Sequence, residues 1–178
     1  MVFGLFRRRR HPEVHATYTA IVAQARQSGF YSRLQVPDTI DGRFEMLMLH
    51  MILVLNRLRG EGETVSAFSQ ELFDLFFADM DGSLREMGVG DLSVPKKVKK
   101  MAEAFYGRAG ALAEALASDT RQQLVEVVDR NLFAEAGNPV AASAIAAYLR
   151  EATDLLAGQE PGEIMAGRLR WPDLPAAA

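Results

Sequence analysis

The sequence predicts an all-α protein: a single compact, bundle-like domain of about six helices followed by an irregular C-terminal tail. Three observations carry this. No run alternates β-branched with polar residues, whereas Ala, Leu, Met, Glu and Arg recur at helical spacing. Glycine and proline fall between the periodic stretches, where they stop or start helices. The chain has 178 residues, 49% hydrophobic and 24% charged, which suits one ordinary domain with a real core.

Taken in order, Pro12 stands at a first helical position, and Tyr18, Ile21, Val22 and Ala25 form one apolar face before Gly29 stops the helix. Phe30 to Thr39 reads as a non-helical link, because Pro37 pushes Val36 toward extended geometry. Asp41 is expected to cap a second helix running to about Arg59. From Phe44 to Leu58 this helix is apolar nearly all round, which predicts a central, buried element. Thr64 or Ser66 starts a third helix to about Met87, with Val65, Phe68, Leu72, Phe76, Met80 and Leu84 in one stripe widened by Phe73 and Phe77. Ser93 is expected to cap a fourth, with Pro95 in its first turn and Val98, Met101, Phe105, Leu112 and Leu116 on its buried face. Gly107 and Gly110 inside it are expected to admit close helix approach. Asp119 opens a fifth helix to about Glu135, and Asn138-Pro139 opens a sixth to Leu156. The organisation is therefore a flexible tip at 1–11, a helical domain at 12–157 and a tail at 158–178 that carries Trp171 as an extended strap.

Composition excludes several function classes. The chain holds no cysteine, so it has no disulfide framework, thiolate metal site or cysteine nucleophile. A net charge of -3 argues against a general nucleic-acid binder, and no DNA partner is expected. No apolar run reaches the roughly 18 residues of a spanning helix; the nearest, Met46 to Leu55, is interrupted by His50.

Candidate chemistry is sparse. His11 and His15 flank Pro12 and Glu13 without forming the His-Glu-x-x-His zinc pattern. His50 reads as a satisfied core histidine. Asp79-Met80-Asp81-Gly82 brings its glycine two positions too early for a calcium loop, and Asp79, Asp81 and Glu86 are read as capping, pairing with Arg85 or facing water. Gly88-Val89-Gly90-Asp91 is an interhelix turn and no phosphate loop, and no serine sits in a nucleophile elbow. Catalytic residues, metals, cofactors and a small-molecule substrate are therefore not expected, and the protein reads as non-enzymatic. The competing reading is a helical adaptor or a small-ligand carrier with a pocket around His50 and the Asp79 to Asp91 region.

Charge and aromatic rings mark two candidate surfaces. Met1 to Phe6 is short and apolar, and Arg7, Arg8, Arg9 and Arg10 follow at once. This order is the reverse of a secretory signal and suits a weak interfacial anchor on anionic headgroups. Lys96, Lys97, Lys99 and Lys100 crowd the start of one helix, against the sign of its dipole, and suit an acidic partner such as lipid headgroups or ribosomal RNA. The rings at Phe30, Tyr31, Phe73, Phe76, Phe77, Phe105 and Tyr106 exceed what one core stripe needs. Phe30, Tyr31, Phe73, Phe77 and Tyr106 are the candidates to line a groove for an apolar client helix.

The run Phe30-Tyr31, Val36-Pro37-Asp38-Thr39, Asp41-Gly42-Arg43-Phe44-Glu45-Met46-Leu47 and His50 resembles the first signature block of the ubiquinol-cytochrome c chaperone family. Leu72-Phe73, Phe76-Phe77, Asp79-Met80-Asp81, Leu84 to Asp91, the lysine cluster and Phe105-Tyr106-Gly107-Arg108 resemble the second. The likeness spans about residues 12 to 150, and the tail carries little of it. It implies an assembly factor for the cytochrome bc1 complex whose partners are cytochrome b or another bc1 subunit, with the ribosome and an anionic membrane surface nearby. Mitochondrial members bind newly made cytochrome b and work with a small partner protein. This sequence lacks their long N-terminal extension, which predicts a bacterial member in the cytoplasm, peripheral on the inner face of the plasma membrane.

Overall fold

The computed structural model describes residues 12–118, 120–134 and 137–175, so the Arg7 to Arg10 tip and two expected helix ends, Asp119 and Glu135, lie outside it. Among the described residues there is no strand, and eight helices follow one another. Six are long: α1 (Pro12–Ala25), α3 (Ile40–Arg57), α4 (Glu63–Glu86), α5 (Val94–Ala117), α6 (Arg121–Leu132) and α7 (Pro139–Ala157). Two span five residues each, α2 (Ser28–Ser32) and α8 (Pro161–Met165).

The architecture follows from α3. Every residue from Glu45 to Val54 is buried, and a helix with no polar face must be wrapped on all sides. α1, α5, α6 and α7 pack against it, α4 bridges α1 and α5, and α6 and α7 form an antiparallel pair. The α4 stripe behaves as its spacing requires, with Phe68, Leu72, Phe76, Met80 and Leu84 buried.

Capping differs from expectation at two helices. Thr39, and not Asp41, caps α3: it sits in extended geometry, and its Oγ1 accepts the Gly42 N–H at 3.1 Å. Asp41 falls in the first turn, where its charge complements the helix dipole. Ser93 is already helical in φ and ψ, and its side chain makes no capping bond. Asn138 caps α7 as predicted, its Oδ1 accepting the Ala141 N–H at 3.1 Å.

Glycines separate into opposite cases. A Cβ on Gly42 would run into the Pro37 carbonyl oxygen, whereas Gly107 and Gly110 have nothing within 4 Å of such an atom. The expected close approach at Gly107 and Gly110 is therefore absent. Gly42→Ala should destabilise by about 2 kcal/mol, since backbone must move to relieve the overlap. Gly107→Ala and Gly110→Ala should each stabilise by up to about 1 kcal/mol by removing the helix-interior glycine cost. Urea unfolding of the three variants checks both signs.

Two segments read as irregular contain short helices. α2 turns Phe30 inward to complete burial. Beyond α7 the chain is irregular except for α8, and it packs closely. The Thr17 hydroxyl donates to the carbonyls of Ile164 and Met165 at 2.8 and 3.1 Å. Arg57 donates to the carbonyls of Leu156 and Gln159 at 3.0 and 2.7 Å. The Trp171 ring then lies edge-on to His50 at 5.1 Å.

Candidate functional site

The α4–α5 pairing builds an aromatic surface. Phe76 and Phe105 form its buried floor, and Phe44 from α3 stacks on Phe76 at 5.9 Å. Phe73 and Phe77, one helical turn apart on α4, touch at 4.7 Å. Phe73 also meets Phe105 edge-on at 5.3 Å and Tyr106 at 5.8 Å. Phe73 and Phe77 are half-buried, while Tyr106 is 65% exposed. The result is a shallow ring-lined surface on a packed base, which suits an apolar helical client.

The five predicted aromatic positions do not converge. Phe73, Phe77 and Tyr106 do. Phe30 is 0% exposed and lies edge-on to Tyr148 at 5.1 Å and His50 at 5.6 Å; it belongs to the core and offers no surface. Tyr31 sits apart, its hydroxyl donating to the Ala25 carbonyl at 2.8 Å. It lines a cleft of about 500 Å³ with Arg26, Ser28, Ser32, Asp38 and Arg43.

His50 is a satisfied core residue. Its Nδ1 lies 2.7 Å from the Met46 carbonyl oxygen, so that nitrogen carries the proton and donates. Nε2 then accepts from the Tyr148 hydroxyl at 2.9 Å, and that oxygen accepts from Gln24 Nε2 at 2.8 Å. Gln27 in turn donates to Gln24 Oε1 at 2.6 Å. Burial holds the imidazole down to about pH 4, against the weaker opposing effect of its bond to Met46, and keeps it neutral. Burial likewise raises the Tyr148 phenol.

The acidic stretch resolves into structural pairs. Asp79 accepts from the Tyr18 hydroxyl at 2.7 Å. Arg85 bonds Asp81 at 2.6 Å and Asp91 at 2.5 Å. Among the described residues no group of three His, Asp or Glu side chains could hold a metal ion.

One pair escaped sequence reading. Arg108 on α5 forks onto Glu45 on α3 with two bonds of 2.6 Å, fixing the helix that carries Tyr106. Burial raises the Glu45 carboxyl, and Arg108 works against that shift. The residues are 63 apart, and nothing local announces their pairing.

The predicted lysines all lie exposed on the first turns of α5. Lys99 makes a long pair with Glu103 at 3.9 Å.

The model of the ubiquinol-cytochrome C chaperone family matches residues 32–171, so the likeness begins later than residue 12, just past Phe30 and Tyr31, and reaches through α8 to Trp171, beyond residue 150. The chain is 25% identical over 159 residues to ubiquinol-cytochrome c reductase complex assembly factor 1 of Mus musculus, covering 88% of this chain and 54% of that protein. It is 24% identical to the Xenopus laevis protein of the same name, covering 88% of this chain and 79% of that one. The chain thus spans about half the length of the mouse relative. The crystal structure of the Cbp3 homolog from Brucella abortus superposes with a TM-score of 0.84 at 42% identity, covering 92% of this chain and 90% of that one.

Proposed function

Because this chain belongs to the ubiquinol-cytochrome C chaperone family, we propose that it is a non-enzymatic assembly factor for the ubiquinol-cytochrome c reductase (bc1) complex. Its client is a newly made apolar segment of cytochrome b, received on the Phe73, Phe77 and Tyr106 surface at the inner face of the membrane. The observation that carries this reading is the open aromatic surface between α4 and α5, in a chain whose other large rings mostly serve the core. The names of the mouse and frog relatives support the complex as the target. Among the described residues no helix is long and apolar enough to cross a membrane, so a membrane-bound client would be met from the side. The small-ligand reading needs an opening at His50, which is 0% exposed.

The test is site-specific photocrosslinking from position 106 in cells, with cytochrome b as the expected adduct. Tyr106→Asp leaves the core intact, because the ring is 65% exposed. It should weaken client capture by about 30-fold, the loss of one aromatic hot spot, and lower bc1 content accordingly. Normal bc1 content in a strain lacking the gene would sink the proposal.

A further inference from the structure

The turn between α4 and α5 sets an exposed aliphatic tip beside a cluster of exposed lysines. Leu92 is 91% exposed and Met87 is 44% exposed. Leu92 is held in place by a tight turn, in which the Gly90 carbonyl accepts the Ser93 N–H at 2.7 Å and the Val94 N–H at 3.2 Å. A bare aliphatic side chain on an ordered tip stays in full contact with water and gains no protein neighbour, so its apolar surface is left to be buried elsewhere.

The adjoining turns of α5 carry Lys96, Lys97, Lys99 and Lys100. At about 100° per residue these four span an arc of about 160°, opposite the face that buries Val94 and Phe105. Nearby acids do not neutralise them. Asp91 and Asp81 are engaged with Arg85, and Glu103 reaches only Lys99 at 3.9 Å. From residue 81 to 100, Arg85 and four lysines stand against Asp81, Glu86 and Asp91, a local charge of +2 in a chain of net charge -3.

The geometry points to the α4–α5 turn as a membrane-docking tip, with Leu92 and Met87 entering the interface while the lysines meet anionic headgroups. Charge complementarity and the aliphatic tip together select this occupant: basic side chains attract an anionic leaflet, and apolar tips enter it. An RNA surface would use the lysines but not Leu92, since single-stranded bases are gripped by stacking on aromatic rings. The inference goes beyond the client reading and is independent of it.

Vesicle flotation with the purified full chain tests it. The protein should float with phosphatidylglycerol vesicles at low salt, and not with phosphatidylcholine vesicles. Leu92→Asp should weaken flotation by about 30-fold at an unchanged melting temperature, since Leu92 has no packing to lose. Reversal of all four lysines to glutamate should abolish it. Flotation of Leu92→Asp equal to the native chain would overturn the proposal, and equal flotation of the lysine reversal as well would assign the binding to another part of the chain. Lysine-dependent binding to ribosomal RNA that ignores Leu92, with no flotation, would overturn it equally. No client is present in the assay, so its failure leaves the aromatic surface untouched, and loss of the cytochrome b crosslink leaves the docking tip untouched.

Discussion

Arg108→Ala is expected to lower the melting temperature by about 6–12 °C at pH 7. The substitution leaves the Glu45 carboxylate, whose side chain is only 12% exposed, without its bidentate partner. Orphaning one member of a largely buried pair costs about 3 kcal/mol, taking the low end because Arg108 itself is 26% exposed. In a chain of this size each kcal/mol moves the midpoint by about 2–4 °C. The pH dependence identifies the cause. Burial already raises the Glu45 carboxyl, and Arg108 is what opposes that rise, so removing it raises the carboxyl further. A folded-state acid with a raised pKa holds its proton more tightly than the unfolded chain does. Its penalty is therefore present at pH 7 and fades as the pH falls toward the unfolded value of about 4.3. Thermal melts of Arg108→Ala should approach those of the native chain on acidification, and adding Glu45→Gln should recover part of the loss at pH 7. A pH-independent deficit would show that lost packing of the arginine stem, and not the stranded charge, is responsible.

Acid should weaken the native protein through His50. The imidazole is neutral in the fold and held down to about pH 4, while the unfolded chain takes up a proton near 6.5. The stabilising difference is complete above pH 6.5 and is lost as the pH falls toward 4, a swing of about 3 kcal/mol. Glu45 acts with the opposite sign in the lower part of this window and makes the net slope shallower. His50→Leu should flatten the acid limb of a stability profile measured from pH 7 to 4. Tyr148→Phe tests the network at constant pH: it leaves Gln24 without its acceptor and His50 Nε2 without its donor, at a cost of about 2 kcal/mol. An unchanged acid limb in His50→Leu would mean that another group sets it.

Much of this molecule was readable from local pattern. Long helices announce themselves through 3.6-residue periodicity bounded by glycine and proline, which is why α1, α3, α4 and α5 are legible with their faces and α7 with its bounds, and why the greasy stretch from Phe44 to Leu58 reads as central, its middle from Glu45 to Val54 being fully buried. α2 and α8 were missed because five residues hold too little of a period to recognise. The burial of Phe30 follows from that omission, since a link and a helical turn point the same ring in different directions. The lysine cluster and the surface rings were visible as composition, but their role depends on exposure, and Phe30 and Tyr106 look alike in sequence. Leu92, between Asp91 and Ser93 in a glycine-rich turn, carried a signal that could have been used: an aliphatic residue where polar ones are the rule. The Glu45–Arg108 fork and the His50–Tyr148 bond, 63 and 98 residues apart, are products of tertiary packing that no window captures.

The bonds from Thr17 to Ile164 and Met165 bridge 147 and 148 residues, and this sets a timetable for the protein's own synthesis. While the chain is being translated, α1 has no access to its last partners, and the Trp171 side of His50 stands uncovered. Contacts of such separation close late, because the loop they seal must first exist. Full packing of α1 therefore waits until Ile164 and Met165 have been made, long after α1 itself.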